Sequence, residues 1–534
     1  MARSPTAISQ PAEAALPEKK ASLATWIAVT AGMIGAFMAV LNIQITNASL
    51  LDIEGGIGTG VDNGAWISTS YLIGEIVVIP LTGYFAQVFS FRRYMIVSTV
   101  AFALFSIACA FATTLGEMIV LRGVQGFAGG VLIPMAFTMV VTRLPKSQQP
   151  MALAMFALSV TFAPAIGPTI GGYLTETYGW QTIFFINTAP SIVMVIALWF
   201  TLEREPVRLS LLKEGDWAGI VTMAIGLSAL QTLLEEGNKD DWFGSPFIVR
   251  LTVVAVVFLS AFIAIELNVS KPLVDLRLLK SRSFGIGTLV NVLVGVALFG
   301  SVYVLPQYLG QVQNYNAEQI GEVLAWTGLP QLVLIPLVPL LMKRVAARYI
   351  AMAGIALFAA SFLLNTHMSL DYSGPQFLIP NIVRAVGQAM VLTPLSAIAT
   401  SEIMAKDAAN ASALFNMLRN LGGAIGTAVL ATIITRREQF HSNIIGQHVT
   451  ADRGIVTQEI ARMQGYFASR GISDAGEAHH QAIIALGGLV HRQALIMAFS
   501  DAFAVMGIVL LLAAAALLLI RKQAAAPKPK LRTH

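Results

Sequence analysis

The sequence predicts an all-α membrane protein with fourteen transmembrane helices, and two observations carry that prediction. Hydrophobic residues make up 56% of the chain and charged residues only 12%, against about a quarter charged in soluble domains. Uncharged or nearly uncharged runs of about 20 residues also recur along the chain. Each is long enough to cross the hydrocarbon core as a helix, which satisfies its own backbone there. The runs fall at 25–51, 64–85, 94–113, 116–142, 151–175, 182–203, 217–236, 248–269, 285–311, 318–342, 349–366, 376–400, 409–435 and 495–520.

The loops set the orientation. One set carries Arg92 and Arg93, Arg143 and Lys146, Arg204, Arg208 and Lys213, then Lys271, Arg277, Lys280 and Arg282, and finally Lys343, Arg344 and Arg348. The alternating loops 52–63, 176–181, 312–317 and 367–375 hold no Lys or Arg, and 237–247 holds only Lys239. The positive-inside rule therefore puts both termini in the cytoplasm. A net charge of +5 distributed in this way calls for no nucleic-acid partner. Residues 1–24 are polar, with Pro5, Pro11 and Pro17, and lack a signal-peptide cleavage pattern. They read as a disordered cytoplasmic tail, and 521–534 as a second tail. The single cysteine, Cys109, excludes an intrachain disulfide and any cysteine-based metal site.

The chain repeats itself. Ile79-Pro-Leu-Thr-Gly-Tyr-Phe leading to Arg92-Arg93-Tyr94 matches Ile335-Pro-Leu-Val leading to Arg348-Tyr349, and Ile335 follows Ile79 by 256 positions. Arg122-Gly-Val-Gln-Gly126 matches Arg384-Ala-Val-Gly-Gln388, with Arg384 following Arg122 by 262. Two matches at nearly one offset indicate a duplicated six-helix unit, as in transporters built of parallel repeats. Six helices fill 25–203, and the offset leaves room for an inserted pair at 217–269 before a second six-helix half at 285–520. That second half includes a long polar loop, 436–494, on the periplasmic side by span count.

Span five is the most unusual stretch. It runs without charge from Met151 to Leu174 and packs Pro164, Gly167, Pro168, Gly171 and Gly172 close together. In a soluble helix such glycines and prolines are costly. Within a bilayer, neighbouring helices re-satisfy the freed carbonyls, and small residues let backbones approach. A kinked packing helix is the general reading. Gly167-Pro168-x-x-Gly171-Gly172 also resembles the fifth-helix antiporter motif of major facilitator superfamily exporters. The resemblance implies a major facilitator fold and a bend that makes tight contact between the two halves.

Further stretches resemble the same superfamily. Gly83-Tyr-Phe-Ala86-Gln87-Val-Phe-Ser90-Phe-Arg92-Arg93 is similar to its cytoplasmic G-x-L-A-D-R-x-G-R-K loop motif, with Gln87 in place of the acid and Ser90 in place of the second glycine. Arg92 and Arg93 read most simply as topology anchors. Arg122-Gly-Val-Gln125-Gly126 resembles the R-x-x-Q-G motif of proton-coupled members. A buried intramembrane arginine needs a partner, so Arg122 is either a coupling residue or a structural hydrogen-bond hub. Val40-Leu41-Asn42-Ile-Gln44-Ile-Thr46-Asn47 aligns with L-D-x-T-I-V-N of fourteen-span drug exporters of the EmrB/QacA type. Asn42 stands where that motif has an aspartate, and it does not titrate.

Glu75 lies mid-span in helix two and is a functional candidate by position, able to load and release protons; permanent pairing with Arg122 is the alternative. Trp180-x-x-Ile183-Phe184-Phe185-Ile186-Asn187, Leu305-Pro306-Gln307-Tyr308 and Ala411-x-Ala413-x-x-Asn416-x-x-Arg419-x-x-Gly422-Gly423 resemble the family's spans six, nine and thirteen. Asn42, Gln44, Asn47, Gln125, Gln307, Arg384, Asn416 and Arg419 are the candidate substrate-cavity residues. Arg384 and Arg419 need counter-charges, for which Asp501 is one option. Glu235 and Glu236 end span seven and read as solvated.

In the long loop, Val456, Ile460, Met463 and Phe467 recur at 4-3-4 spacing, the face of an amphipathic helix. Gly471 ends it, and Ser473-Asp474 with Glu477 starts a second helix. His479 and His480 are adjacent and about 100° apart on a helix, which fits a solvated face rather than a metal site. By resemblance to EmrB-type permeases, this segment docks an HlyD/EmrA-like periplasmic adaptor leading to a TolC-like outer-membrane channel.

The resulting expectation is an inner-membrane multidrug exporter driven by the proton gradient, with no bound cofactor. A dedicated exporter of one metabolite or siderophore-like compound is the alternative. A membrane enzyme is disfavoured, since H-E-x-x-H, G-x-S-x-G and P-loop patterns are missing from the sequence. Substrate charge stays open: Glu75 favours cations, Arg384 and Arg419 anions.

Overall fold

A computed structural model describes residues 20–520 apart from 60, 271, 405, 406, 451 and 473. Both predicted tails thus lie largely or wholly outside the described residues, as does Ser473. Every extended apolar run forms a helix. Twelve helices are long and apolar enough to cross a membrane, and a thirteenth pair, Met151–Pro164 and Ile166–Tyr178, is bent by 45°. The shorter apolar helix Ala347–Leu363 completes the fourteen expected spans.

Spans one to six (Leu23–Ala48, Trp66–Phe89, Phe91–Cys109, Leu115–Arg143, Gln149–Tyr178 and Thr182–Thr201) pack around their own apolar cores. Spans nine to fourteen (Arg282–Gln311, Ala317–Met342, Ala347–Leu363, Gly374–Thr400, Ala408–Gly446 and Ala475–Leu517) form the second bundle. The inserted pair, Trp217–Glu236 and Pro246–Asn268, pack on each other and touch spans two and thirteen. The two halves meet chiefly where span five lies along span ten and span two along span thirteen.

Two boundaries differ from expectation. Span two continues through Phe89 and span three begins at Phe91, so most of the predicted loop motif is helical. Phe85, Val88 and Phe89 extend the apolar pattern, and Ser90 is the whole connection, at φ 77° and ψ 136°. The long polar loop also contains less loop than expected. Span thirteen runs on to Gly446, and the predicted second amphipathic helix is the start of span fourteen itself, capped by Asp474, whose Oδ1 accepts from the Glu477 amide at 2.7 Å. Polar residues do not stop a helix once it leaves the bilayer. The first amphipathic helix is present as Gly454–Ser469. Its Val456, Ile460, Met463 and Phe467 are half-buried, together with Glu459 and Gln464, the helix packs on span fourteen, and Gly471 ends it at φ 102°.

Opposite the basic loops, the connection of the inserted pair ties the halves together. Thr69 of span two donates to Glu236 Oε1 at 3.2 Å. On the other side Asn238 Nδ2 donates to Thr435 Oγ1 at 3.1 Å, Trp242 Nε1 to Thr432 Oγ1 at 3.0 Å, and Arg436 pairs with Asp241 at 2.7 Å.

Candidate functional site

Glycines place span two against span four. A Cβ on Gly126 would meet the Tyr71 carbonyl, one on Gly74 the Gly123 carbonyl, and one on Gly130 the Cα and carbonyl of Glu75. Backbone contact of this kind brings the R-x-x-Q-G stretch alongside the turn that carries Glu75. Arg122, 1% exposed, occupies the centre. Its Nη1 donates to Asn42 Oδ1 at 2.6 Å and to Gln125 Oε1 at 2.7 Å, and its Nε donates to the Ile67 carbonyl at 3.3 Å. The guanidinium lies 4.3 Å from the Tyr71 ring centre and 5.9 Å from that of Phe184. Phe184 is held by the span-six motif, whose Asn187 donates to Ser106 Oγ at 3.0 Å while Ser106 donates to the Phe184 carbonyl.

The arginine is therefore satisfied by neutral oxygens and aromatic faces. Glu75 is buried, and its Oε2 has no hydrogen-bond partner among the described residues. Permanent Glu75–Arg122 pairing, the alternative raised by the sequence, is not present.

The other predicted cavity residues separate into three groups. Arg384 lines a cavity between the halves with Thr327, Gln388 and, from span five, Pro164. Asn416 and Arg419 line a second with Phe137 and Phe156. Each has a volume of about 20 Å³, room for about one water. Asn42 and Gln125 line neither; they belong to the Arg122 cluster. Gln44 sits half-buried on span one, where its Cβ approaches Gly167. Asn47 is exposed and accepts from Ser68 at 2.6 Å, and Gln307 pairs with Gln311 one turn away near the end of span nine. These last two lie at helix ends, away from the centre.

Several expectations are corrected. Gly167 and Gly171 face span one of their own half, against Gln44 and Ile45. The inter-half contact is made by their neighbour Thr169, on which Gly321 of span ten packs. Pro168 is half-buried and Gly172 buried in the same helix. Asp501 is not a counter-charge for Arg384 or Arg419: it binds Arg437 Nε at 2.6 Å and His441 Nε2 at 2.8 Å. Neither Arg384 nor Arg419 has an ion-pair partner among the described residues, and each Nε is buried without an acceptor. Glu236 is buried rather than solvated, bound by Thr69 and Lys239, while Glu235 is half-buried and accepts from Gln231.

Arg92 is more than a surface anchor: it is buried, donates to the Trp199 carbonyl at 2.6 Å and stacks on the Trp199 ring, whereas Arg93 is exposed. Gly83 has open space where a Cβ would go. It borders, with Gln87, Arg143 and Glu205, a cavity of about 370 Å³ at the basic end. His479 and His480 are exposed on span fourteen.

Sequence reasoning missed one residue that the repeat itself identifies. Gln331 stands 256 positions after Glu75, and its Nε2 donates to Gln388 Oε1 at 2.9 Å and to the Thr327 carbonyl at 2.6 Å. The second half thus holds a neutral amide where the first holds a carboxylate, and each keeps one buried oxygen, Gln331 Oε1 and Glu75 Oε2, without a partner among the described residues.

Comparison with known proteins agrees with this architecture. The family model described as Major Facilitator Superfamily matches residues 32–427. The chain is 31% identical to the colistin resistance protein EmrB of Acinetobacter baumannii, over 91% of this chain and 94% of that one. It is 33% identical to the multidrug export protein EmrB of Escherichia coli, over 76% and 80% respectively. Among solved structures it is similar in fold to the human organic anion transporter MFSD10 (TETRAN), at TM-score 0.55 and 13% identity, over 91% of this chain and 99% of that one.

Proposed function

The chain belongs to the Major Facilitator Superfamily, and on that premise we propose that it is a proton-driven multidrug export permease of a bacterial inner membrane. Both termini lie in the cytoplasm, where the basic loops belong by the positive-inside rule. The two halves alternate access to the cavities between them. The relatives named for multidrug export and colistin resistance match most of their own length, which supports export of lipophilic or amphipathic compounds. Arg384 and Arg419, uncompensated cations at the interface, favour substrates carrying an anionic or strongly hydrogen-bond-accepting group.

One observation carries the coupling. Glu75 is a buried carboxylate with a free oxygen, beside an arginine whose charge is already met by Asn42 and Gln125. A proton on Glu75 removes the cost of a desolvated charge. Loss of that proton is favoured when the cavity opens to water or Arg122 turns toward it. Glu75 is the proton carrier in this reading, and Arg122 its regulator.

Export across a second membrane needs partners, and the projecting ends of spans thirteen and fourteen with the Gly454–Ser469 helix offer exposed Ile455, Tyr466, Ile483 and Ile484. These suit a periplasmic adaptor of the HlyD/EmrA-like kind that leads to a TolC-like channel. Proteoliposomes with an imposed pH gradient test the coupling. Glu75→Gln is expected to bind substrate yet fail to accumulate it, and undiminished proton-driven uptake would remove Glu75 from the mechanism. Photocrosslinkers placed through 455–490 test the partner: normal export in cells without capture of an adaptor would refute the tripartite assembly.

A further inference from the structure

A cavity separate from the interface opens sideways between spans ten and twelve. Its volume is about 630 Å³, within the roughly 300–1,000 Å³ of ligand pockets. Leu334, Leu337, Val338, Leu341, Val386 and Met390 form its apolar wall, and Lys343 and Arg344 line its basic end. Pro336 and Pro339 interrupt the hydrogen-bond ladder of span ten along this wall. Val386 and Met390 lie on a different side of span twelve from Arg384 and Gln388, since residues two apart on a helix point about 200° from each other. The groove therefore faces lipid, and the interface cavities lie behind it.

The two cations distinguish this groove from an ordinary lipid-facing surface. Five other arginines at the basic end are committed, while Arg204 and Arg208 line cavities that also contain Glu203 and Glu205, and Arg93 is exposed. Arg92 donates to Trp199, Arg143 pairs with Glu205, Arg277 binds the carbonyls of Leu267 and Val269, Arg282 that of Leu519, and Arg348 those of Leu518 and Ile520. The side chains of Lys343 and Arg344 are exposed and have no such partner among the described residues. The cavity lining contains no carboxylate. An apolar slot capped by two uncompensated cations at headgroup level complements an amphiphile with a negative head. A zwitterionic head would bring an ammonium group toward the same cations.

We propose that this groove binds one anionic phospholipid of the cytoplasmic leaflet. Its phosphate sits on Lys343 and Arg344, and an acyl chain lies along Leu334, Leu337 and Leu341. The leaflet assignment rests on the orientation given above, and the binding itself is independent of the export reaction.

Native mass spectrometry of the full chain, released from vesicles containing phosphatidylglycerol, phosphatidylethanolamine and oleate, is the test. One phosphatidylglycerol should be retained in preference to the other two. The K343Q/R344Q double variant should lower its retention about 30-fold, two surface cations being worth about 2 kcal/mol together. Lys280→Gln, an exposed cation outside the groove, should leave retention unchanged. Val386→Trp should reduce retention with both cations intact, by filling the acyl slot.

Equal retention of phosphatidylglycerol and phosphatidylethanolamine would overturn the proposal. So would undiminished binding by the double variant, or preference for oleate, which would assign the groove to free amphiphilic carboxylates. Labelling of the Lys280→Cys variant from each side of sealed vesicles tests the orientation separately, so a wrong leaflet and an absent site give different results.

Discussion

Arg122 donates to the side-chain oxygen of Asn42 at 2.6 Å, across the contact between spans four and one. An amide therefore stands where fourteen-span exporters of the EmrB/QacA type carry a carboxylate, and it meets the arginine without adding a titratable group. In the proposed coupling the proton-binding role in this half then falls to Glu75. Asn42→Ala should weaken export only modestly, because Gln125 and the Ile67 carbonyl still hold Arg122. Asn42→Asp introduced into the Glu75→Gln background should restore part of the proton-driven uptake. Reconstituted transport under a pH gradient checks both, and no recovery in the double variant would mean the two positions are not interchangeable.

The glycine seam between spans two and four makes a stability prediction. An alanine at Gly126 drives its Cβ into the Tyr71 carbonyl, a backbone atom with no flexible end to yield. The overpacking should cost about 1–3 kcal/mol and lower the thermal midpoint in detergent. Gly83→Ala, with nothing near its Cβ, is the matched control and should melt like the parent.

Ser90 gives the opposite sign. It is the single residue joining spans two and three, 2% exposed, at a positive φ that L-residues adopt at a cost. The superfamily loop motif has glycine there. Ser90→Gly should stabilise the protein by about 1 kcal/mol, read as a higher thermal midpoint with transport unimpaired.

Disulfide trapping tests the outer connection of the inserted pair. Three side-chain bonds fasten it to span thirteen, whereas Thr69–Glu236 ties it to span two. The pair should therefore travel with the second half. A Thr69→Cys/Glu236→Cys crosslink should arrest export, whereas Asn238→Cys/Thr435→Cys should be tolerated. Cys109, the only native cysteine, is buried, so the native thiol does not complicate either experiment. The reverse pattern would mean that the pair moves with the first half.

Much of this architecture was legible in one dimension. Hydropathy runs gave all fourteen spans, because a bilayer permits few alternatives to a helix, and loop cations gave their alternation. The 4-3-4 spacing of Val456, Ile460, Met463 and Phe467 gave the correct buried face. What the sequence did not reveal depends on rotation about helix axes and on helix ends. Gly167 and Gly171 advertise a close contact, but nothing in their spacing says that span one rather than the other half receives it. Glu236, at a helix end next to Lys239, has the pattern of a solvated residue, and only the fold brings Thr69 over it. Asp501 is only one option as a counter-charge for Arg384 and Arg419 in the sequence, and its actual partners, Arg437 and His441, come alongside because span thirteen continues past Thr435 as a helix. The correspondence of Gln331 to Glu75 follows from the 256-residue repeat offset alone.

The length of the last two helices has a mechanical consequence. Span thirteen is 39 residues long and span fourteen 43, about 58 and 64 Å at 1.5 Å per residue, roughly twice the hydrocarbon thickness. Each is unbroken from the membrane to its tip, and the two are clamped side by side by Asp501 with Arg437 and His441, and by Glu438 with His491. Such a pair acts as a rigid pointer fixed to one half of the molecule. Rotation of that half by about 10° would sweep a tip about 30 Å from the membrane surface through about 5 Å. A small rocking motion inside the bilayer thus becomes a displacement large enough for a pair of spin or fluorescent labels to follow, or for anything seated on the tip to feel as a push.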